Sequence, residues 1–94
     1  MDVYFYRTEC GDAARISFID ENGKSRHILI DAGFERTFRN VLHQELQTIA
    51  TNSERIDLWI ISHIHDDHIG GALSYVSAVK NRVLPEMVAH WWYN

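Results

Sequence analysis

Four side chains of metal-binding type occur close together near the middle of the chain. His63, His65, Asp67 and His68 form the pattern His-x-His-x-Asp-His, directly after an apolar run over residues 56–61. Alternate residues of an extended backbone point to the same side, so His63 and His65 can reach one metal ion together. A loop that tightens after His65 would turn Asp67 and His68 toward a second ion, about 3.5 to 4 Å from the first as in two-metal hydrolytic sites.

The ligand types indicate which metal and which kind of site to expect. Imidazole nitrogen with carboxylate oxygen suits zinc first, with Mn²⁺ or iron as substitutes. Cys10 is the only cysteine, so the chain has no thiolate cluster for a structural zinc and no disulfide framework. The pattern therefore predicts an open catalytic site at the carboxyl end of a buried strand, where α/β proteins commonly bind ligands.

Simpler explanations suit the other polar residues. A lone histidine at a strand end is usually a surface residue, whereas a solvated loop has no need for four ligand-type residues at this spacing. Asp66 occupies the variable position of the pattern and is expected to face solvent. His27 and His43 are expected on the surface, and His90, beside two tryptophans, is expected to pack or to bond to the backbone.

The elements that position the motif can be predicted from the apolar pattern. Gly11-Asp12 and Asn22-Gly23 separate three runs rich in β-branched and aromatic residues, and Asn-Gly favours a type I′ hairpin turn. These runs predict a β-meander over residues 3–6, 15–19 and 27–30. Beyond it, the spacing of apolar residues predicts helices over residues 35–50 and 72–79, and strands over residues 56–61 and 87–93.

The composition limits the classes of function. The chain has 94 residues and 46% hydrophobic content, which is that of one modest globular domain. A formal net charge of −4 argues against the broad basic surface used in non-specific nucleic-acid binding. No apolar run approaches the roughly 18 residues of a membrane span, and no charged leader precedes one, so a soluble cytoplasmic protein is expected.

The motif and a second one upstream together resemble the metallo-β-lactamase superfamily. Residues 63–71, read His-Ile-His-Asp-Asp-His-Ile-Gly-Gly, are similar to the superfamily's signature. Residues 29–33, read Leu-Ile-Asp-Ala-Gly, are similar to its first motif, a strand ending in Asp with a following Gly. Gly11-Asp12-Ala13 also resembles the competence-type branch, which is associated with DNA uptake.

The resemblance implies a role for each matching residue. His63 and His65 would bind the first zinc, and Asp67 and His68 the second, giving two Zn²⁺ per complete site. Asp31 would support these ligands by accepting hydrogen bonds, and capping of a following helix is the alternative for this residue. Catalysis would be attack by a metal-bound hydroxide, with Asp67 orienting the water or receiving its proton.

The resemblance also implies a fold of which this chain is one part. The family fold is a four-layer αββα sandwich, so the chain is expected to be α/β, with an antiparallel or mixed sheet and two helices. Residues 1–94 would form a truncated N-terminal half of that domain, without the remaining metal ligands. The sheet face meant for the missing C-terminal half would be exposed, with Trp59, Trp91 and Trp92 adding to it, and would favour self-association.

Three functions follow from these expectations. The first is a metal-dependent hydrolase acting on a phosphodiester, an ester or another small-molecule substrate, with the 94-residue chain itself inactive because its site is incomplete. The second is a non-catalytic half-domain that binds metal or docks a partner. The third is an oxidoreductase, since iron can occupy sites of histidine and carboxylate.

Overall fold

The computed structural model describes residues 2–8, 11–32, 41–62 and 66–93, with the backbone alone for residues 4–8, 11–12 and 66–69. Within them the elements follow in the order β1 Asp2–Thr8, β2 Gly11–Ile19, β3 Ser25–Ile30, α1 His43–Thr51, β4 Leu58–Ile61, α2 Asp66–Lys80 and β5 Trp91–Tyr93.

The strands form one mixed sheet whose spatial order follows the sequence. β1, β2 and β3 pair antiparallel as a meander, and β4 and β5 continue the sheet in parallel. Parallel neighbours need a crossover connection, and α1 and α2 lie in the two crossovers that this topology requires. The predicted α/β class and the mixed sheet with two helices are confirmed.

The turn between β2 and β3 differs in type from the predicted one. Gly23 has a φ of 77° while Asn22 does not have positive φ, and the Gly23 N–H donates to the Asp20 carbonyl at 3.0 Å. This is a type I turn followed by a left-handed glycine, because a type I′ turn needs positive φ at both central residues. The Asp20 carboxylate favours it by accepting hydrogen bonds from the N–H groups of Asn22 and Lys24, both at 2.9 Å. The Lys24 N–H in particular lowers the pKa of Asp20 below its ordinary value.

Two strand boundaries also differ from the predictions. Gly11 and Asp12 do not interrupt the sheet but lie within β2, paired with the end of β1, because backbone pairing needs no large side chain. The final strand is shorter than the predicted 87–93, since Val88 forms only an isolated bridge with Ile56 before β5 begins.

Both described helices pack against the same face of the sheet. α1 places Leu46 and Ile49 in the core, as its apolar spacing predicts, whereas Phe34 and Phe38 of the predicted helix lie outside the described residues. Neither helix combines the length and the apolar character needed to cross a membrane, as far as the described chain shows. The core consists of Ala13, Leu29, Ala32, Leu42, Leu46, Ile49, Ile56, Trp59, Ile61, Ala72, Tyr75, Leu84, Met87 and Val88.

α2 begins at Asp66, several residues before the predicted start, and contains Gly70 and Gly71. A Cβ at Gly71 would overlap the carbonyl oxygen of Ala32 and would lie 3.1 Å from the Ala32 Cβ. Gly71 therefore allows the helix to approach the end of β3. Consequently Asp67 and His68 belong to the first turn of a helix, and the prediction of a loop at these two positions is wrong.

The second face of the sheet carries apolar side chains that neither described helix covers. The prediction that Trp59 adds to this face is wrong, because strand alternation turns its side chain toward the helices, where it is 0% exposed. Trp91 pairs with Trp59 and is half-buried beside it, whereas Trp92 points the other way and is 60% exposed. We call this second face the open face: Ala14, Ile16, Ile28, Ile30, Leu58, Ile60 and Trp92.

Candidate metal centre

The carboxyl ends of β3 and β4 bring Asp31 and Ser62 together. The strands are parallel, with Ile30 paired to Ile60, and the Asp31 N–H donates to the Ile60 carbonyl at 2.7 Å. Oδ1 of Asp31 accepts the Ser62 N–H at 2.8 Å, and the Ser62 hydroxyl lies 2.9 and 2.8 Å from the two carboxylate oxygens. Ser62 directly precedes His63, so the residue just before the predicted metal motif, residues 63–68, is fastened to the neighbouring strand.

Asp31 adopts a backbone conformation that few residues tolerate. Its φ is 58°, in the left-handed region where Asp and Asn are enriched among residues other than glycine. Such a conformation costs about 1 to 3 kcal/mol and persists only where the surroundings enforce it. Here the surroundings include the indole N–H of Trp59, which donates to the Asp31 carbonyl at 3.0 Å.

The predicted metal ligands fall largely outside the described part of the chain. His63 and His65 lie outside it, and Asp66, Asp67 and His68 are described by their backbone alone, in the first turn of α2. Among the side chains that are described, no group of three or more histidines, cysteines or carboxylates could hold a metal ion. The ligand set and the support that Asp31 is expected to give it therefore stay predictions.

The prediction that His27 lies on the surface is wrong. It is only 7% exposed, because β3 turns this side chain toward the helices. Its Nδ1 lies 2.7 Å from the Ser17 hydroxyl and its Nε2 lies 2.7 Å from a Glu54 carboxylate oxygen, so both ring nitrogens have a partner, as burial of a polar ring demands. His43 is half-buried, and His90 is exposed and contributes its backbone carbonyl to the pairing of β4 with β5.

A charged network fixes the amino ends of β3 and β4. Asp57 accepts a hydrogen bond from the His27 N–H and donates its own N–H to the His27 carbonyl, both at 2.9 Å. Its second carboxylate oxygen pairs with Arg26 at 2.8 Å, and Arg26 also pairs with Asp20 at 2.9 Å. The hydrogen bond to Asp57 in particular raises the pKa of Arg26. The register of β3 against β4 is thus held at both ends of the pair.

Sequence reasoning missed two residues of this site. Ser62 has no ligand chemistry of its own, and the only local signal is a small hydroxyl residue at the end of a strand, directly before the motif. Trp59 reads as an ordinary apolar residue of a buried strand, and its indole N–H finds Asp31 only through the pairing of β3 with β4. Both contacts join residues far apart in the sequence.

Comparison with known proteins places the chain in a family. The structure is similar to that of the metallo-beta-lactamase FIM-1 from Pseudomonas aeruginosa in its mono-zinc form, with 19% sequence identity and a TM-score of 0.39. The alignment covers 89% of this chain and 40% of that one, so the chain spans less than half the length of that protein. A search of curated proteins gave no match. The sequence matches the metallo-beta-lactamase superfamily over residues 12–90, which is most of its length, and the chain belongs to that superfamily.

Proposed function

We propose that the chain carries the metal motif of a metal-dependent hydrolase. Membership of the metallo-beta-lactamase superfamily supports this class of activity. One observation supports the proposal at particular residues. The Asp31 carboxylate accepts hydrogen bonds from both the N–H and the hydroxyl of Ser62. Ser62, directly before the motif, is therefore one fixed point of the chain. Asp66, where α2 begins, is a second one, with three residues between them.

The residue types of the motif fit zinc. His63 and His65 would hold one Zn²⁺, and Asp67 and His68 a second, because imidazole and carboxylate donors without thiolates are typical of catalytic zinc sites. The same donors accept Mn²⁺ or iron. Zinc held by these residues would supply a water molecule of near-neutral pKa and would polarise the bond under attack.

The protein's own groups would orient the ligands and handle the proton. Asp67 is the proposed acceptor of a proton from the attacking water, since a carboxylate beside the reacting group can act as general base. Asp31 would restrict the freedom of the ligands by keeping Ser62 in place, because groups behind metal ligands fix their orientation. The tight approach of α2 at Gly71 would keep Asp67 and His68 beside the same end of β3.

Phosphodiesters are the substrate class that we propose first, with esters and other small molecules as alternatives. The choice is supported by the likeness of Gly11-Asp12-Ala13 to the competence-type branch. It is also compatible with two metal ions, which can stabilise the attacking and leaving oxygens of a phosphoryl group together.

The open face favours a second candidate, a partner-docking half-domain. Its apolar side chains form continuous rows across β2, β3, β4 and β5, of the kind that marks a surface normally covered by protein. We propose that its usual cover is the remaining half of an αββα sandwich, of which residues 1–94 form the N-terminal half. With that cover the open face belongs to the complete enzyme, whereas a non-catalytic half-domain would use the same face to dock a partner.

Metal binding and hydrolysis test the proposed function. The purified protein is titrated with Zn²⁺ by calorimetry, and its hydrolysis of bis(p-nitrophenyl) phosphate is followed with and without added C-terminal half-domain from a family member. We expect His65→Ala to weaken zinc binding and to abolish any hydrolysis. His90→Ala is the matched control, because it removes an exposed imidazole whose backbone role the substitution preserves.

The outcomes separate the two candidates. Zinc binding that His65→Ala weakens, together with hydrolysis, supports the metal-dependent hydrolase. Zinc binding without hydrolysis in either setting favours the non-catalytic half-domain. Equal zinc affinity in the wild type and in His65→Ala contradicts both the ligand assignment and the hydrolase.

A further inference from the structure

We infer that Trp59 is a positioning residue for the metal motif, acting through the backbone of Asp31. The inference rests on the proposed function and adds to it a residue that carries no ligand or acid–base chemistry. Trp59 lies in β4, is 0% exposed, and donates its indole N–H to the Asp31 carbonyl at 3.0 Å. Its side chain thus reaches from the strand that leads into the motif to the residue that fastens the motif.

The bond to Trp59 belongs to a set of described contacts around Asp31. The Asp31 N–H donates to the Ile60 carbonyl, its carbonyl accepts from Trp59, and its carboxylate holds Ser62. All three partners belong to β4 or to the residue that directly follows it. Each polar group of Asp31 is therefore matched to one short segment, which ends where the metal motif begins.

The left-handed conformation explains why this carbonyl bond matters. At a φ of 58°, Asp31 would relax toward the ordinary extended region if one of its backbone contacts were removed. Rotation of its backbone would carry the carboxylate away from the Ser62 N–H and hydroxyl. Loss of the single indole N–H of Trp59 is therefore expected to loosen Ser62, because Asp31 contacts both residues.

An aromatic stack holds the indole in place. Trp91 lies parallel to Trp59, with ring centroids 4.7 Å apart and 15° between the planes. Tyr75 of α2 packs against Trp59 at 5.4 Å with a tilt of 56°. Since the ring is held by neighbours on two elements, its N–H is aimed at Asp31 with little freedom, and replacing the N–H alone should leave the ring where it is.

Trp59→Phe tests the inference, because it removes the N–H and keeps an aromatic ring in the stack. We expect about tenfold weaker Zn²⁺ affinity, in line with losses seen when a group behind a metal ligand is removed. We also expect faster hydrogen exchange of the Ser62 amide relative to the core amides of β3, measured by NMR without metal. If Trp59 had only a structural role, Trp59→Phe would lower the melting temperature but would change neither the Zn²⁺ affinity nor the relative exchange rate of the Ser62 amide.

Trp91→Phe is the matched control, since it trims the same stack and leaves the indole N–H of Trp59 on Asp31. Unchanged Ser62 exchange in Trp59→Phe, or equal effects of Trp59→Phe and Trp91→Phe, overturns the inference. If Trp59→Phe does not fold, a chemically synthesised chain with benzothienylalanine at position 59 replaces it, because sulfur substitutes for the N–H in a ring of nearly the same shape.

The two proposals can fail separately. If the wild-type chain binds no zinc, the proposed function fails, and Ser62 exchange alone decides whether Trp59 positions this segment. If the wild type binds zinc and Trp59→Phe binds it equally tightly with a protected Ser62 amide, the hydrolase proposal stands and the role of Trp59 is disproved.

Discussion

The carboxylate of Asp31 holds Ser62 by two separate groups, the backbone N–H at 2.8 Å and the hydroxyl at 2.8 to 2.9 Å. Hydrogen bonds to an ionised carboxylate are among the stronger ones in proteins, so this contact fixes the path of the chain more firmly than a neutral bond. The contact joins the end of β3 to Ser62, the residue directly before the predicted metal motif. Substitutions at Asp31 can separate the two contributions of this residue, its carboxylate and its left-handed backbone.

Asp31→Gly should weaken Zn²⁺ binding by about 10-fold to 100-fold, because it removes the carboxylate that we propose orients the metal motif. The free energy of unfolding of this variant should fall only modestly. Glycine adopts positive φ without strain, and the relief of strain offsets part of the loss of the hydrogen bonds to Ser62. Asp31→Ala should lose the same affinity and be less stable than Asp31→Gly by about 1 kcal/mol, because alanine is disfavoured in the left-handed region. Calorimetric zinc titration and urea denaturation of both variants measure the two effects.

Asp31→Asn serves as the control for this pair, because asparagine tolerates the same backbone and keeps one oxygen acceptor. Its zinc affinity should lie between those of the wild type and Asp31→Gly. An Asp31→Gly variant that binds zinc as tightly as the wild type would show that the carboxylate does not support the metal motif.

Gly71→Ala should destabilise the protein by about 2 kcal/mol or more, although alanine is the better helix former by roughly 1 kcal/mol. The added Cβ would overlap the Ala32 carbonyl oxygen, and backbone on both sides leaves little room to yield. Ser77→Ala, at an exposed position of the same helix, is the comparison and should change stability by less than about 0.5 kcal/mol. Urea denaturation followed by circular dichroism measures both, and equal stabilities would contradict the close approach of α2 to β3.

His27→Ala should lower the free energy of unfolding by about 2 to 3 kcal/mol, because it leaves both Ser17 and Glu54 without their buried partner. His90→Ala removes an exposed ring and should stay within about 0.5 kcal/mol of the wild type. The same denaturation experiment compares the two. If the two variants are equally stable, the hydrogen bonds of His27 contribute nothing that water cannot replace.

The residues that sequence reasoning placed correctly are those whose positions follow from local pattern. Alternating β-branched runs predict the meander, and the spacing of Leu46 and Ile49 predicts a buried helix face, because each pattern reports which side of its own element meets the core. The same alternation held an unused signal at His27, two residues before the buried Leu29 and therefore on the same side of β3.

The contacts that escaped prediction depend on how distant segments meet. Asp31 and Ser62 are 31 positions apart, and they touch because β3 and β4 pair in parallel with one particular register. Nothing in either segment alone specifies that register. The early start of α2 escaped prediction for a related reason: Gly71 is tolerated inside the helix because it permits contact with Ala32, a residue from another element.

Trp92→Lys should reduce self-association of the protein, because it places a charge on the open face, where the tryptophan is 60% exposed. An apolar face without a cover tends to find one in a second copy of the chain, and a lysine there disfavours burial against another apolar surface. Leu73→Lys is the matched control, since Leu73 is an apolar residue of similar exposure, 62%, on α2. Sedimentation velocity at several concentrations should show wild type and Leu73→Lys associating alike and Trp92→Lys remaining smaller. Equal behaviour of all three would mean that the open face is not the surface through which the chain associates.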